Sequence, residues 1–151
     1  MKKIIKVFLI LGLFLTGCTS QKHEWKETYH LTYFYLEDCS NCQYFKKSVL
    51  PAIKEEFGKH IKIKAWNMDG DQNVEAMKNA YDGYINQFID FNQDHYGYGP
   101  LVILDGYFAV LGAGNKDEYV TRLINAIEGK KIKENNEIET IYYLKDGKVK
   151  Q

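Results

Sequence analysis

The sequence has no excess of charge of either sign, no long hydrophobic run and few cysteines. Lys plus Arg equals Asp plus Glu at 20 each, so the formal net charge is zero and gives no reason to expect nucleic-acid binding. The apolar stretch at residues 7–15 is shorter than the roughly 20 residues that span a bilayer. No repeat or low-complexity segment occurs. With 45% hydrophobic and 15% aromatic residues, the 151-residue chain has enough apolar side chains for one folded domain.

The N-terminal segment has the features of an export signal. Three lysines precede the apolar residues 7–15, and LTGC follows at residues 15–18. LTGC resembles the lipobox of bacterial lipoproteins, in which the cysteine is lipidated and becomes the mature N-terminus; the alternative is an ordinary signal peptide with a chance cysteine. We therefore expect residues 1–17 to be a cleaved signal peptide, Cys18 to carry the lipid, and residues 18–27 to tether the domain to the cell membrane.

The remaining cysteines are expected to do chemistry rather than to crosslink the fold. Export would place the domain outside the cytoplasm, where disulfides persist. With Cys18 lipidated, Cys39 and Cys42 are the only thiols left, and within the chain they can pair only with each other. A disulfide across two intervening residues closes a very small loop, which removes little entropy from the unfolded chain.

The hydrophobic pattern predicts an α/β domain over residues 28–130 with the order β-α-β-α-β-β-α. Pro51 is expected to kink or restart the first helix, and Ser40 or Asn41 to cap its N-terminus. One mixed sheet covered on both faces follows from this order. Residues 131–151 form a C-terminal extension with an expected edge strand or hairpin and no implied function. The predicted strands are 29–36, 60–67, 101–104 and 107–111, and the predicted helices are 40–57, 73–94 and 116–128.

Three features resemble the thioredoxin fold in its compact form. The motif Cys39-Ser40-Asn41-Cys42 lies where the first strand meets the first helix, Gly99-Pro100 precedes the third strand, and a ββα unit ends the domain. The resemblance covers roughly residues 28–130. It implies a central four-stranded sheet in the order 2-1-3-4, flanked by helices, and a cis Gly99–Pro100 bond that lies against the cysteine pair.

The chain departs from that family at several positions. Glu37 and Asp38 stand where a Trp usually precedes the motif, and Ser-Asn separates the cysteines. Gly99 replaces the more usual Thr or Val, and Tyr33 occupies the strand position of a buried Asp. These departures leave the direction of electron flow open.

The arrangement suits thiol–disulfide exchange. A cysteine at a helix N-terminus meets free N–H groups and the positive end of the helix dipole, both of which favour the thiolate. Cys39 is therefore the expected nucleophile, and Cys42, three residues on, the resolving thiol. Gly99 and Pro100 are expected to offer a backbone edge to an extended substrate chain. The expected partners are thiols and disulfides of exported proteins and an unidentified redox partner.

The acidic pair opposes this activation. The carboxylates of Glu37 and Asp38 disfavour a nearby thiolate. This effect favours a pair less oxidising than that of DsbA-like members, suited to reduction or isomerisation of exported proteins.

Other interpretations of the motif stay open. A CxxC pair is half of a zinc site, but the four histidines show no companion spacing. Copper binding through Cys39, Cys42 and a distant histidine is one alternative, and a non-catalytic thioredoxin-fold binding or metal-handling lipoprotein is another. Our expectation is a monomeric, membrane-anchored, extracytoplasmic thiol–disulfide oxidoreductase with no cofactor and no metal.

The lipobox predicts that Cys18→Ala leaves an unlipidated protein that fails normal lipoprotein processing. The measurement is mass spectrometry of the mature N-terminus in membranes of cells expressing wild type and variant. A wild-type N-terminus other than lipidated Cys18 would contradict the prediction.

Overall fold

The computed structural model describes residues 23–70, 73–133 and 137–150. The expected signal peptide, Cys18 and residues 18–22 of the expected tether lie outside them. Within the described residues, no helix is both long and apolar enough to cross a membrane. The elements are β1 (Tyr29–Tyr35), α1 (Ser40–Tyr44), a π-helical segment (Phe45–Val49), α2 (Leu50–Phe57), β2 (Ile61–Asn67), α3 (Val74–Ile85), β3 (Leu101–Leu104), β4 (Phe108–Leu111), α4 (Lys116–Ile127) and β5 (Thr140–Tyr143).

The strands form one mixed sheet in the order β2-β1-β3-β4-β5. β1 is parallel to β2, and the other three pairings are antiparallel. The expected α/β class is confirmed. The sheet has five strands, because Thr140–Tyr143 of the C-terminal extension pairs with β4 as the expected edge strand.

β1 is buried on both faces along most of its length, as its dense aromatic and aliphatic side chains predict. Leu31 and Tyr33 contact the core on one side, which includes residues of α2 and α4. Phe34 contacts the core on the other side, which is formed with α3. The sheet is therefore covered on both faces, and β1 lies between the two cores.

The first helix restarts close to Pro51, as predicted. α2 begins at Leu50, with Pro51 in its first turn. The Leu50 amide bonds to the Phe45 carbonyl, a π-type i to i−5 bond. Because Pro51 has no N–H to donate, the preceding turn widens before the α-helix resumes.

The prediction of a helix over residues 73–94 is wrong in its second half, because α3 ends at Ile85. The following segment pairs with the C-terminal extension: Phe88 bridges Leu144, and the Ile89 amide donates to the Tyr143 carbonyl. Phe88 and Phe91 still point into the core, against Tyr142. The apolar spacing therefore predicted correctly that Phe88 and Phe91 face the core. The backbone around Phe88 pairs with the C-terminal extension and is not helical.

A buried ion pair joins the C-terminal extension to the domain. The guanidinium of Arg122, the only arginine of the chain, donates to the Glu139 carboxylate at 2.7 Å, and both side chains are at most 2% exposed. The Gly114 amide donates to the other carboxylate oxygen at 2.9 Å. Among the described residues, the Nε and Nη1 atoms of Arg122 have no hydrogen-bond partner. Glu139 is thus the principal compensation for a fully buried cation.

Removing this carboxylate should destabilise the protein strongly. We expect Glu139→Ala to lower the free energy of unfolding by about 3–5 kcal/mol, because it leaves the Arg122 cation buried and unpaired. The measurement is urea unfolding followed by circular dichroism. As a control, Glu118→Ala breaks the exposed Lys133–Glu118 pair and should cost less than about 1 kcal/mol. Equal losses in both variants would contradict the prediction.

Candidate functional site

Cys39 lies between the end of β1 and the start of α1. It is itself the N-cap residue of α1, and its sulfur accepts the Cys42 amide at 3.1 Å. The expectation of a Ser40 or Asn41 cap is therefore wrong. The reason is that the cysteine sulfur takes the place of the usual cap oxygen and accepts a free N–H of the first helical turn. The Cys39 sulfur itself is thus hydrogen-bonded to the helix terminus.

The two thiols have different environments. Both cysteines are free; Cys39 is half-buried, whereas Cys42 is 0% exposed. Burial is the main cause that raises the pKa of the Cys42 thiol to about 12, and its hydrogen bond with Cys39 adds to this rise. The Leu36 backbone and the Lys46 ammonium act in the opposite direction. Cys42 therefore stays protonated at neutral pH, and Cys39 is the sulfur that reagents can reach.

Gly99 lies against both cysteines. The Gly99–Pro100 peptide bond is cis, as predicted, and the Cys39 thiol donates to the Gly99 carbonyl at 3.2 Å. A Cβ atom added at Gly99 would lie 3.0 Å from the Cys42 sulfur and 3.3 Å from the Met68 methyl group. There is thus little room for a side chain at position 99, which accounts for glycine where the resembling family has Thr or Val.

Part of the acidic pair is compensated. The two carboxylate oxygens of Glu37 contact the Lys46 ammonium at 3.2 Å and the Asn67 amide at 3.1 Å. Lys46 also lies over the Tyr35 ring, 4.1 Å from its centroid. Within the part of the chain that the structure describes, Asp38 makes no ion pair. Asp38, rather than Glu37, is therefore the main uncompensated acid next to Cys39.

Tyr33 is a buried phenol near the end of β1. Its side chain is 6% exposed, and burial is the first cause that raises the pKa of its hydroxyl. A neutral phenol therefore occupies the strand position where the resembling family has a buried acid.

Two exposed tyrosines precede Gly99 in the same loop. Tyr96 and Tyr98 are 45% and 60% exposed. The Tyr96 hydroxyl donates to Asp82 of α3 at 2.6 Å, and the Tyr98 ring stacks on His95.

No group of three or more His, Cys, Asp or Glu side chains suited to a metal ion occurs among the described residues. Three histidines have contacts of their own: His23 with Glu56, His60 with the Glu27 carbonyl and His95 with Tyr142.

Comparisons of this chain with protein-family models, curated proteins and solved structures gave no match. The interpretation of the site therefore depends on its own geometry.

The close approach at Gly99 predicts the effect of adding one methyl group. Gly99→Ala should lower the free energy of unfolding by about 1–3 kcal/mol, because the new Cβ overpacks against the Cys42 sulfur. Gly83→Ala is the matched control. Its Cβ would meet nothing within 4 Å in the last turn of α3, so this variant should gain roughly 0.5–1 kcal/mol. Urea unfolding of both variants measures the difference, and equal effects would refute the steric explanation.

Proposed function

We propose that the chain is a thiol–disulfide oxidoreductase with a thioredoxin-like fold, in which Cys39 is the nucleophile and Cys42 the resolving thiol. Its substrates are thiols and disulfides of exported proteins. We further propose that lipidated Cys18 anchors the domain to the outer face of the cell membrane, with the segment up to residue 27 as the tether.

The observation that carries the proposal is the asymmetry of the pair. The Cys39 sulfur is partly accessible and accepts a helix N–H, so an incoming disulfide can reach it. Cys42 is fully buried and held as a thiol by a pKa of about 12. Attack on an incoming disulfide therefore falls to Cys39, and Cys42 reacts only once a mixed disulfide has formed.

The exchange balances as two displacements. The Cys39 thiolate attacks one sulfur of the partner disulfide, which forms the mixed disulfide and releases the other partner sulfur as a thiolate. Cys42 then gives up its proton and attacks the Cys39 sulfur, so that the Cys39–Cys42 disulfide forms and the second partner sulfur leaves. The partner is reduced by two electrons and the pair is oxidised by two. The first released thiolate is a suitable acceptor for the Cys42 proton, since Tyr33 provides no carboxylate nearby.

Two further observations support a thioredoxin-like arrangement. The first four strands in chain order lie as β2-β1-β3-β4 with one parallel pairing, and β5 adds to the outer edge of β4. The cis Gly99–Pro100 segment enters β3 directly beside the cysteines. Its backbone supports the role of Gly99 and Pro100 in receiving an extended substrate chain.

The decisive experiment traps the mixed disulfide. In Cys42→Ser the second displacement is blocked, so incubation with a disulfide-bonded protein such as insulin should accumulate a covalent adduct that dithiothreitol reverses. Wild type should turn over insulin disulfides with a reductant present, and Cys39→Ser should do neither. The measurements are non-reducing gel electrophoresis and mass spectrometry.

The control is Cys39→Ser/Cys42→Ser, which should form no adduct. Wild type without turnover, together with Cys42→Ser without adduct, would reject the redox function. Partner binding that persists in Cys39→Ser would then favour the non-catalytic binding alternative.

A further inference from the structure

The loop that carries Gly99 is held from α3. The buried Tyr81 side chain, 3% exposed, accepts the Gly97 backbone amide on its hydroxyl at 2.9 Å. Gly97 has a positive φ of 80°, so the chain turns sharply there before Gly99. The bond fixes the loop two residues before the carbonyl that faces Cys39.

The same loop is held from β5. The Tyr142 hydroxyl contacts Nδ1 of His95 at 2.5 Å. The Asn92 backbone also donates to the Tyr142 hydroxyl. The His95 ring in turn stacks on Tyr98, with centroids 6.2 Å apart. The Tyr142 side chain, 4% exposed, therefore contacts the loop at Asn92 and His95. Through the His95 ring it also restrains Tyr98, the residue before Gly99.

We propose that Tyr81 and Tyr142 are positioning residues for the redox pair, and that they hold the Gly99 carbonyl opposite the Cys39 sulfur. This gives the C-terminal extension a part in the site, because Tyr142 belongs to its strand β5. The significance of the arrangement for catalysis depends on the proposed function, whereas the positioning itself can be tested without turnover.

The direction of the effect follows from the hydrogen bond. The Cys39 thiol donates to the Gly99 carbonyl, a bond that only the protonated sulfur can make. Holding the carbonyl in place therefore keeps the Cys39 sulfur engaged in this bond and restrains its reactivity. A loosened loop withdraws this acceptor and uncovers the sulfur, so Cys39 should react faster.

Each positioning tyrosine has a matched control on its own element. Tyr84, also on α3, bonds through its hydroxyl to Thr32 and Asp105, both at 3.0 Å. Asp105 follows β3, at the opposite end of the sheet from Gly99. Tyr84→Phe thus removes hydroxyl bonds from the same helix without touching the loop.

Tyr143 is the control on β5. Its ring packs against the core on the other side of the sheet. Among the described residues its hydroxyl makes no hydrogen bond. If a general loss of stability exposes Cys39, Tyr84→Phe should also change the reactivity of Cys39. If the loop contacts control it, only Tyr81→Phe and Tyr142→Phe should change that reactivity.

The experiment measures the alkylation rate of Cys39 by iodoacetamide at neutral pH in the full chain. Cys42→Ala is the background, which keeps the backbone N–H at position 42, and labelling is quantified by mass spectrometry of the fragment containing Cys39. Tyr81→Phe and Tyr142→Phe should each accelerate labelling about two- to tenfold, the range that loss of one hydrogen bond produces. Tyr84→Phe and Tyr143→Phe should stay at the background rate, and urea unfolding of all four variants reports their stability.

A Tyr81 or Tyr142 variant that labels at the rate of its matched control overturns the assignment of that residue. If Tyr84→Phe accelerates alkylation of Cys39 as much as Tyr81→Phe does, the assignment of Tyr81 is also overturned. The faster alkylation would then reflect a general loss of stability and not a loosened loop. Failure of the proposed function has a different signature: wild type would not turn over insulin disulfides, while the pattern of alkylation rates would still hold.

Discussion

Burial of strand β1 on both faces is the constraint on which the rest of the structure depends. A strand apolar on both sides must be covered twice, so α2 and α4 pack on one face and α3 on the other. The chain can leave such a strand only at its ends, and Cys39 follows the C-terminal end. There the first helical turn meets the loop that enters β3. The cysteine pair therefore lies where three segments converge, and each of them contributes one contact to the sulfurs.

Those contacts make the two thiols unequal, which a CxxC motif alone does not require. The Cys42 amide donates to the Cys39 sulfur and the Gly99 carbonyl accepts from it, so both contacts meet at the same atom. Lys46 pairs with Glu37, whereas Asp38 makes no ion pair among the described residues. Cys39 is thus half-buried and hydrogen-bonded on two sides, whereas burial is the main cause that raises the pKa of the Cys42 thiol.

Local signals in the sequence were enough to predict most elements, while contacts between distant segments were not. Asn115 caps α4 with its side chain, and the turn at Asp105-Gly106 joins β3 to β4. Caps and tight turns of this kind are encoded by a few adjacent residues. The pairing of Phe88 with Leu144 beyond the end of α3 and the loop contacts of Tyr142 depend on partners far along the chain. No periodicity of 3.6 or two residues carries that information.

The pairing of β5 with β4 also determines which strand lies at this edge of the sheet. All four residues of β4 are buried and apolar, and without β5 their backbone would form an open, hydrophobic sheet edge. Such an edge is a template for a strand from another molecule, and its backbone groups would recruit one wherever chains are concentrated. The extension replaces that edge with Thr140–Tyr143, a short strand whose two end residues are only half-buried. A chain shortened before β5 would keep its cysteine motif and still be prone to aggregate through β4.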